Sequence, residues 1–471
     1  MKKIIYLFVL FFLIISCSDE VKVGDITING KVLTDDVKEI KFTMTENIAI
    51  KEIEYIAEVN TDSTFTITIP SEYPLLGTIH SGGFYHKIFF SPGDELFIEI
   101  EGDTISYKGH GSNPNTFLYE ILEKENVDGY YQLFREKGGL NEIADMVQER
   151  RKNFISIVKE NETKYQLDKK FIDRILLINE TSYIGFMLNY PRSYAYRNKM
   201  KLDSVNLPKE FSDLKLVSNF IDDKKLSTRE YFYLIRTFVY EKVREFNKTK
   251  PNKKDSAIQI VLFDSLYGKT KDYGIANWLD TEFNFNRYDT VIYDRFKNEI
   301  TNSDAQNIVQ ESFEKYNSKQ MLINSPLIEE FNLTLLEDDK GNELTFGDMV
   351  NKYVGNVIYL DFWSLGCGPC RTSMPKSKEL KEKLKDYPID FVYITTDRKN
   401  ENLWKEVYKV TLTEENHFRF SKGFNAKLLK FMKINWVPNY MLIDKDGTLL
   451  SFNAARPTNP QIEEKLMKYL N

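Results

Sequence analysis

Tyr359-Leu360-Asp361-Phe362-Trp363-Ser364-Leu365-Gly366-Cys367-Gly368-Pro369-Cys370 is the stretch that decides how this chain is read. Val357 to Phe362 is a strongly apolar run, the mark of a strand buried on both faces. Two cysteines spaced C-x-x-C follow, where a helix is expected to begin. The unpaired N–H groups and the dipole of a first helical turn favour a thiolate. Cys367 lies at the helix start within reach of solvent, and Cys370 lies one turn further in. Such a pair closes and opens without moving the backbone. A thiolate at the first position attacks a disulfide, and the second resolves the mixed disulfide.

Strands and helices alternate around this stretch from about Ser325 onward. Phe331 to Leu336 reads as a strand, Asp338-Asp339-Lys340-Gly341 as a turn, and Ile389 to Thr395 as the next strand. Asn402 to Val410 reads as a helix. Asn439 to Ile443 is a strand ending at the turn Asp444-Lys445-Asp446-Gly447, and Gln461 to Leu470 closes as a helix. This order indicates an α/β sheet with parallel strands at its centre, assigned to 321–471.

The stretch resembles the thioredoxin superfamily, and the order of elements is similar to that of the TlpA/ResA-like envelope reductases. The resemblance covers roughly the last 145 residues and implies a thioredoxin-like fold and thiol–disulfide oxidoreductase activity. Asp361 matches the buried acid that accepts or relays the proton of the resolving cysteine. Pro375 matches the proline that kinks the active-site helix. Val437-Pro438 matches the cis-proline loop facing the dithiol, where the backbone of Val437 pairs with substrate as a short strand. Cys367, Cys370 and Asp361 are thus the expected catalytic residues, and Val437, Pro438, Trp363, Gly368 and Pro369 the expected substrate contacts. There are departures from the pattern. Gly366 replaces an aromatic residue, Ser373 stands where ResA-like proteins carry a glutamate, and Asn439 stands where threonine is common. They leave the redox pair intact but bear on the family's usual substrate, cytochrome c apoproteins. Gly-Pro between the cysteines resembles reducing thioredoxins; a histidine there would stabilise the thiolate and make the disulfide more oxidising. The family implies a membrane-embedded thiol reductase as electron donor, and protein disulfides as substrates.

The cysteines admit other readings. A zinc half-site lacks its second pair, so no metal and no cofactor are expected. An inert structural disulfide stays open. A peroxiredoxin would need a proline where Leu360 stands, although Ser364 fits. His80, His86, His110 and His417 are scattered and read as structural or surface residues.

The amino terminus points to a compartment. Met1-Lys2-Lys3 is a short positive region, and Ile4 to Ile15 is an unbroken run of 12 apolar residues, too short to span a bilayer as a helix. Ile14-Ile15-Ser16-Cys17 resembles the lipobox of bacterial lipoproteins, which implies cleavage after residue 16, acylation of Cys17 and a tether over 17–23. An ordinary secretory signal with a spare cysteine is the alternative. Lipidation and the C-x-x-C together account for all three cysteines of the chain, so no disulfide staples remain. The expected location is the cell envelope, lipid-anchored and facing the periplasm. Ser18-Asp19-Glu20 also suits export to the outer face, beyond the donor's reach.

The remaining chain is less informative. With 471 residues, about three domains are expected. A net charge of −6, falling to −8 once Lys2 and Lys3 are removed, offers no basic footprint for nucleic acid. Residues 24–110 read as short strands with turns such as Asn29-Gly30 and Ser91-Pro92-Gly93-Asp94, hence an antiparallel β-sandwich-like domain. Its layout resembles a domain of unknown function often found ahead of thioredoxin-like modules. Residues 111–320 read as helical. Apolar stripes run through Ile143, Val147, Phe154 and Val158 and through Tyr231, Leu234, Ile235, Phe238 and Val239. Helix starts are expected at Ser227 and Ser303, with Pro191, Pro208 and Pro251 in loops. A multidomain chain results: β-sandwich, helical middle, thioredoxin-like α/β domain. The competing functional class is a binding or assembly lipoprotein that works through the first two domains and carries a redox-inactive third.

Overall fold

The computed structural model describes residues 24–34, 37–45, 52–81, 84–124, 129–211, 215–226, 228–249, 265–284, 290–400, 402–411, 413, 415–432 and 434–470. The signal segment, Cys17, the tether, Ser227 and Pro251 lie outside these residues. The chain divides into two compact units, Met1–Gly274 and Ile275–Asn471.

In the first unit, strands β1 (Ile26–Val32), β2 (Glu39–Thr45), β3 (Glu52–Glu58), β4 (Thr64–Ile69), β5 (Leu75–Ser81), β6 (Phe84–Phe90), β7 (Glu95–Glu101) and β8 (Thr104–His110) form two four-stranded sheets. Their orders are β4-β1-β7-β8 and β3-β2-β5-β6. Alternating residues of both sheets, among them Ile28, Phe65, Ile98, Phe42 and Ile79, share one apolar core. The sandwich is not wholly antiparallel: β1 and β7 run parallel. Five strands intervene between them, a connection long enough to bring the chain back in the same direction. Helices Leu140–Asn161, Lys169–Arg197 and Arg229–Thr249 follow, with the expected apolar stripes buried. Pro191 lies inside the second of these and not in a loop. Its missing N–H removes one helical bond, but Tyr190 and Pro191 are both buried, and that packing holds the turn together.

The second unit takes in the helices from Ile275 to Gln320 and the C-terminal sheet. Helix Ser303–Gln320 is capped by Asn302, whose side chain accepts from the Ala305 N–H, so the cap stands one residue before the expected Ser303. The sheet has seven strands: β9 (Leu335–Asp338), β10 (Glu343–Thr345), β11 (Val357–Trp363), β12 (Ile389–Thr395), β13 (His417–Phe420), β14 (Asn439–Ile443) and β15 (Leu449–Ser451). They lie in the order β10-β9-β13-β12-β11-β14-β15. β11, β12 and β13 run parallel, and the other pairs are antiparallel. The strand expected over Phe331 to Leu336 begins later. Phe331 sits buried in a one-turn helix, Glu329–Asn332, where Glu329 and Glu330 suit the positive N-terminal end.

Every residue of β11 is buried. Ile358, Leu360 and Phe362 face a core shared with Val392, Ile394 and Met441. Val357, Tyr359 and Trp363 face the opposite core, shared with Cys370 and Met374 of helix Gly368–Lys383. Strand alternation puts Asp361 on that second face too, under the helix that carries the cysteines.

Candidate active site

β11 ends at Trp363, and the helix begins at Gly368, immediately after Cys367. Asp397 pins the short loop between them. Its Oδ2 accepts from the Leu365 N–H at 2.7 Å and from the Thr395 hydroxyl at 2.6 Å. The Thr396 N–H donates to the Trp363 carbonyl oxygen at 2.9 Å. Cys367 is the N-cap of the helix, and the Cys370 N–H donates to its sulfur at 3.1 Å. The two cysteines are joined by a disulfide, with Cα atoms 5.3 Å apart. Cys367 is half-buried and Cys370 wholly buried, while Gly366, Gly368 and Pro369 are exposed. The outer sulfur is therefore the one a partner can reach.

Facing the pair is the loop before β14. The Val437–Pro438 peptide bond is cis, and the Val437 carbonyl oxygen lies 3.5 Å from the Cys367 sulfur. Pro375 lies within the active-site helix. Ser373 is buried, and its hydroxyl donates to the Pro369 carbonyl oxygen at 3.1 Å, so it serves the helix itself.

Trp363 departs from its expected place. It is completely buried beside Cys370 in the core under the helix, so it supports the site from behind and offers substrate no surface. Alternation along β11 explains this, because Tyr359, Asp361 and Trp363 all point inward to that core.

Asp361 is 1% exposed, and neither carboxylate oxygen has a hydrogen-bond partner. Across the sheet it stands opposite Tyr440 on β14 and Tyr393 on β12. Burial holds its carboxyl well above the ordinary carboxylate range, with the Arg456 guanidinium pulling it partly back. A carboxyl raised in this way is a better base for a thiol proton than a solvated one. His417 lies elsewhere, stacked on Tyr393 with its imidazole pushed down to about 4 by burial, so it is neutral. His86 pairs with Glu123 at 2.8 Å in the first unit.

Sequence reasoning missed Asp397 and Arg456. An acid two residues beyond a strand-ending threonine, as in Thr395-Thr396-Asp397, is a signal for the first. Arg456 carries none; only the fold brings it near Asp361.

Asp361 generates a stability prediction. Its carboxyl binds a proton more tightly folded than unfolded, so stability is lost as pH rises from the unfolded carboxylate range towards the raised folded value. Asp361→Leu should therefore be more stable than the parent at neutral pH, by about 1–3 kcal/mol. The gain should grow with pH. Denaturant unfolding of the oxidised chain at several pH values checks this, and a gain independent of pH would contradict the assignment.

Residues 355–449 match a family model described as thioredoxin-like. The thiol–disulfide oxidoreductase ResA of Bacillus thuringiensis is 25% identical over 136 residues, which are 28% of this chain and 73% of that protein. The Geobacillus kaustophilus ResA is 26% identical over 132 residues, 28% of this chain and 71% of its own. Among solved structures, the thioredoxin domain of a thiol–disulfide oxidoreductase from Bacteroides vulgatus is 23% identical, with a TM-score of 0.25, over 29% of this chain and 92% of that one. Residues 355–449 of this chain thus form a thioredoxin-like domain.

Proposed function

We propose that the protein is an envelope-anchored thiol–disulfide oxidoreductase that reduces protein disulfides through Cys367 and Cys370. The observation that carries this reading is the placement of the two sulfurs. The reachable one caps a helix N-terminus beside the Val437 carbonyl, and the buried one is bonded to it. In the reduced protein the first-turn N–H groups stabilise a thiolate at Cys367. That thiolate attacks one sulfur of a substrate disulfide and expels the other as a thiolate. Cys370 then gives up its proton, with Asp361 as the acceptor, and attacks the Cys367 sulfur. The second substrate thiolate leaves, the Cys367–Cys370 disulfide forms, and two electrons have passed to the substrate. Gly368, Pro369, Val437 and Pro438 are the substrate contacts in this reading, with the Val437 backbone pairing to an extended segment.

Repeated turnover needs a donor, and a membrane-embedded thiol reductase fits that role. Acylation of Cys17 would hold the domain at the membrane near such a donor. Two acyl chains at ~0.8 kcal/mol per buried CH₂ are enough for a stable anchor. Among the described residues no helix is long and apolar enough to cross a bilayer. The ResA relatives are compatible with an envelope setting.

Trapping tests the redox roles. Cys370→Ser should accumulate mixed disulfides with partner proteins, because attack proceeds and resolution cannot. Cys367→Ser should trap almost none. In the reduced protein Cys367 should be alkylated faster than Cys370, with a pH midpoint below the ~8.5 of a free thiol. Equal trapping by the two variants, or faster alkylation of Cys370, would overturn the mechanism. The anchor has its own test. Cys17→Ser should lose incorporation of labelled fatty acid and leave the membrane fraction, and a variant that still labels and pellets would end that part of the proposal.

A further inference from the structure

A cleft of about 760 Å³ opens beside Pro438, one residue from the carbonyl that meets the Cys367 sulfur. That volume lies within the range of ligand-binding clefts. Every charged residue lining it is a cation: Arg456 from the segment after β15, and Lys465 and Lys468 from helix Ile462–Leu470. The two lysines are three residues apart and so share one face of that helix. All three cations are exposed, and among the described residues none is paired with a carboxylate. The chain as a whole carries a net charge of −6, so this concentration of positive charge runs against the overall balance. Pro438 and Tyr440 form the wall of the cleft that continues from the loop facing Cys367.

These features specify complementary chemistry. The cations call for carboxylates. The cleft also continues directly from the Val437–Pro438 loop, so a chain lying along that loop would run into it. We propose that this cleft binds an acidic, extended segment of the polypeptide that carries the substrate disulfide, and that Arg456, Lys465 and Lys468 select substrates by charge. The proposal rests on the oxidoreductase reading for its substrate, but binding to the cleft can be measured without turnover.

The test uses the full chain and three labelled peptides of equal length and with the same label, differing only in acidic, neutral or basic residues around a serine in place of cysteine. At low ionic strength the acidic peptide should bind about ten-fold more tightly than the basic one, as expected for a few exposed charge pairs acting together. That advantage should fade at high salt. It should be lost or reversed in Lys465→Glu/Lys468→Glu and kept in Lys465→Arg/Lys468→Arg, with thermal unfolding reporting that both variants are folded. Equal binding of all three peptides, a preference that survives the glutamate substitutions, or displacement by inorganic phosphate at concentrations comparable to the peptide would overturn the proposal. The same peptides carrying a disulfide are then offered to the pre-reduced chain. Acidic peptide bound but no disulfide reduced would uphold the cleft and refute the oxidoreductase reading. Disulfides reduced with no ranking by charge would do the reverse.

Discussion

Seven consecutive residues, Val357–Trp363, are removed from water on both faces, and every group at the redox pair is placed relative to them. Each large apolar side chain buried there is worth about 1.5–3 kcal/mol, so the strand cannot shift register without losing two cores at once. Its end is therefore a fixed point. The helix that starts at Gly368 must leave from it, and Cys367 is held at the helix mouth with Cys370 packed beneath. The neighbouring strands carry the other parts. β12 leads to Asp397, which ties down the loop before Cys367, and β14 begins directly after the cis Pro438.

The same strand accepts a cost. Asp361 lies among Tyr359, Trp363, Tyr393 and Tyr440 with no hydrogen-bond partner for either carboxylate oxygen. Leaving a buried polar group unsatisfied typically costs about 1–3 kcal/mol, and an apolar side chain would fill the position better. Such a group is expected where chemistry needs it, since strongly perturbed acids cluster at functional sites. The two cysteines thus meet opposite environments. The outer sulfur faces helix N–H groups that favour its charged form, and the inner one lies in an apolar core that favours the neutral thiol.

Much of this was legible in the sequence, for identifiable reasons. β11 announces itself as a strongly apolar run, β12 and β14 match their expected limits, and the C-x-x-C spacing fixes which residues can form the pair. What escaped depends on partners distant in the chain. β13 contains His417 and Arg419, an unpromising composition for a buried strand. Arg419 is accommodated because it pairs at 2.9 Å with the buried Glu337 directly opposite on β9, which Lys399 also reaches. Arg456 lies in an irregular segment with no local pattern, and its nearness to Asp361 exists only in the folded sheet. Trp363, expected among the substrate contacts, is turned inward by the alternation of the strand, and core packing accounts for it. The parallel pairing of β1 with β7 likewise has no local signature.

The claim at the centre of this account is that Cys367 and Cys370 form a dithiol that opens and closes reversibly within the folded domain. Equilibrating the full chain with dithiol redox buffers, and counting free thiols while monitoring the fold, tests it most directly. The account predicts one reversible two-electron transition in the native protein. With Gly-Pro between the cysteines, its midpoint should lie nearer the ~−270 mV of thioredoxin than the ~−120 mV of strongly oxidising relatives. A pair that becomes reducible only when the domain unfolds would be a structural staple, and would contradict it.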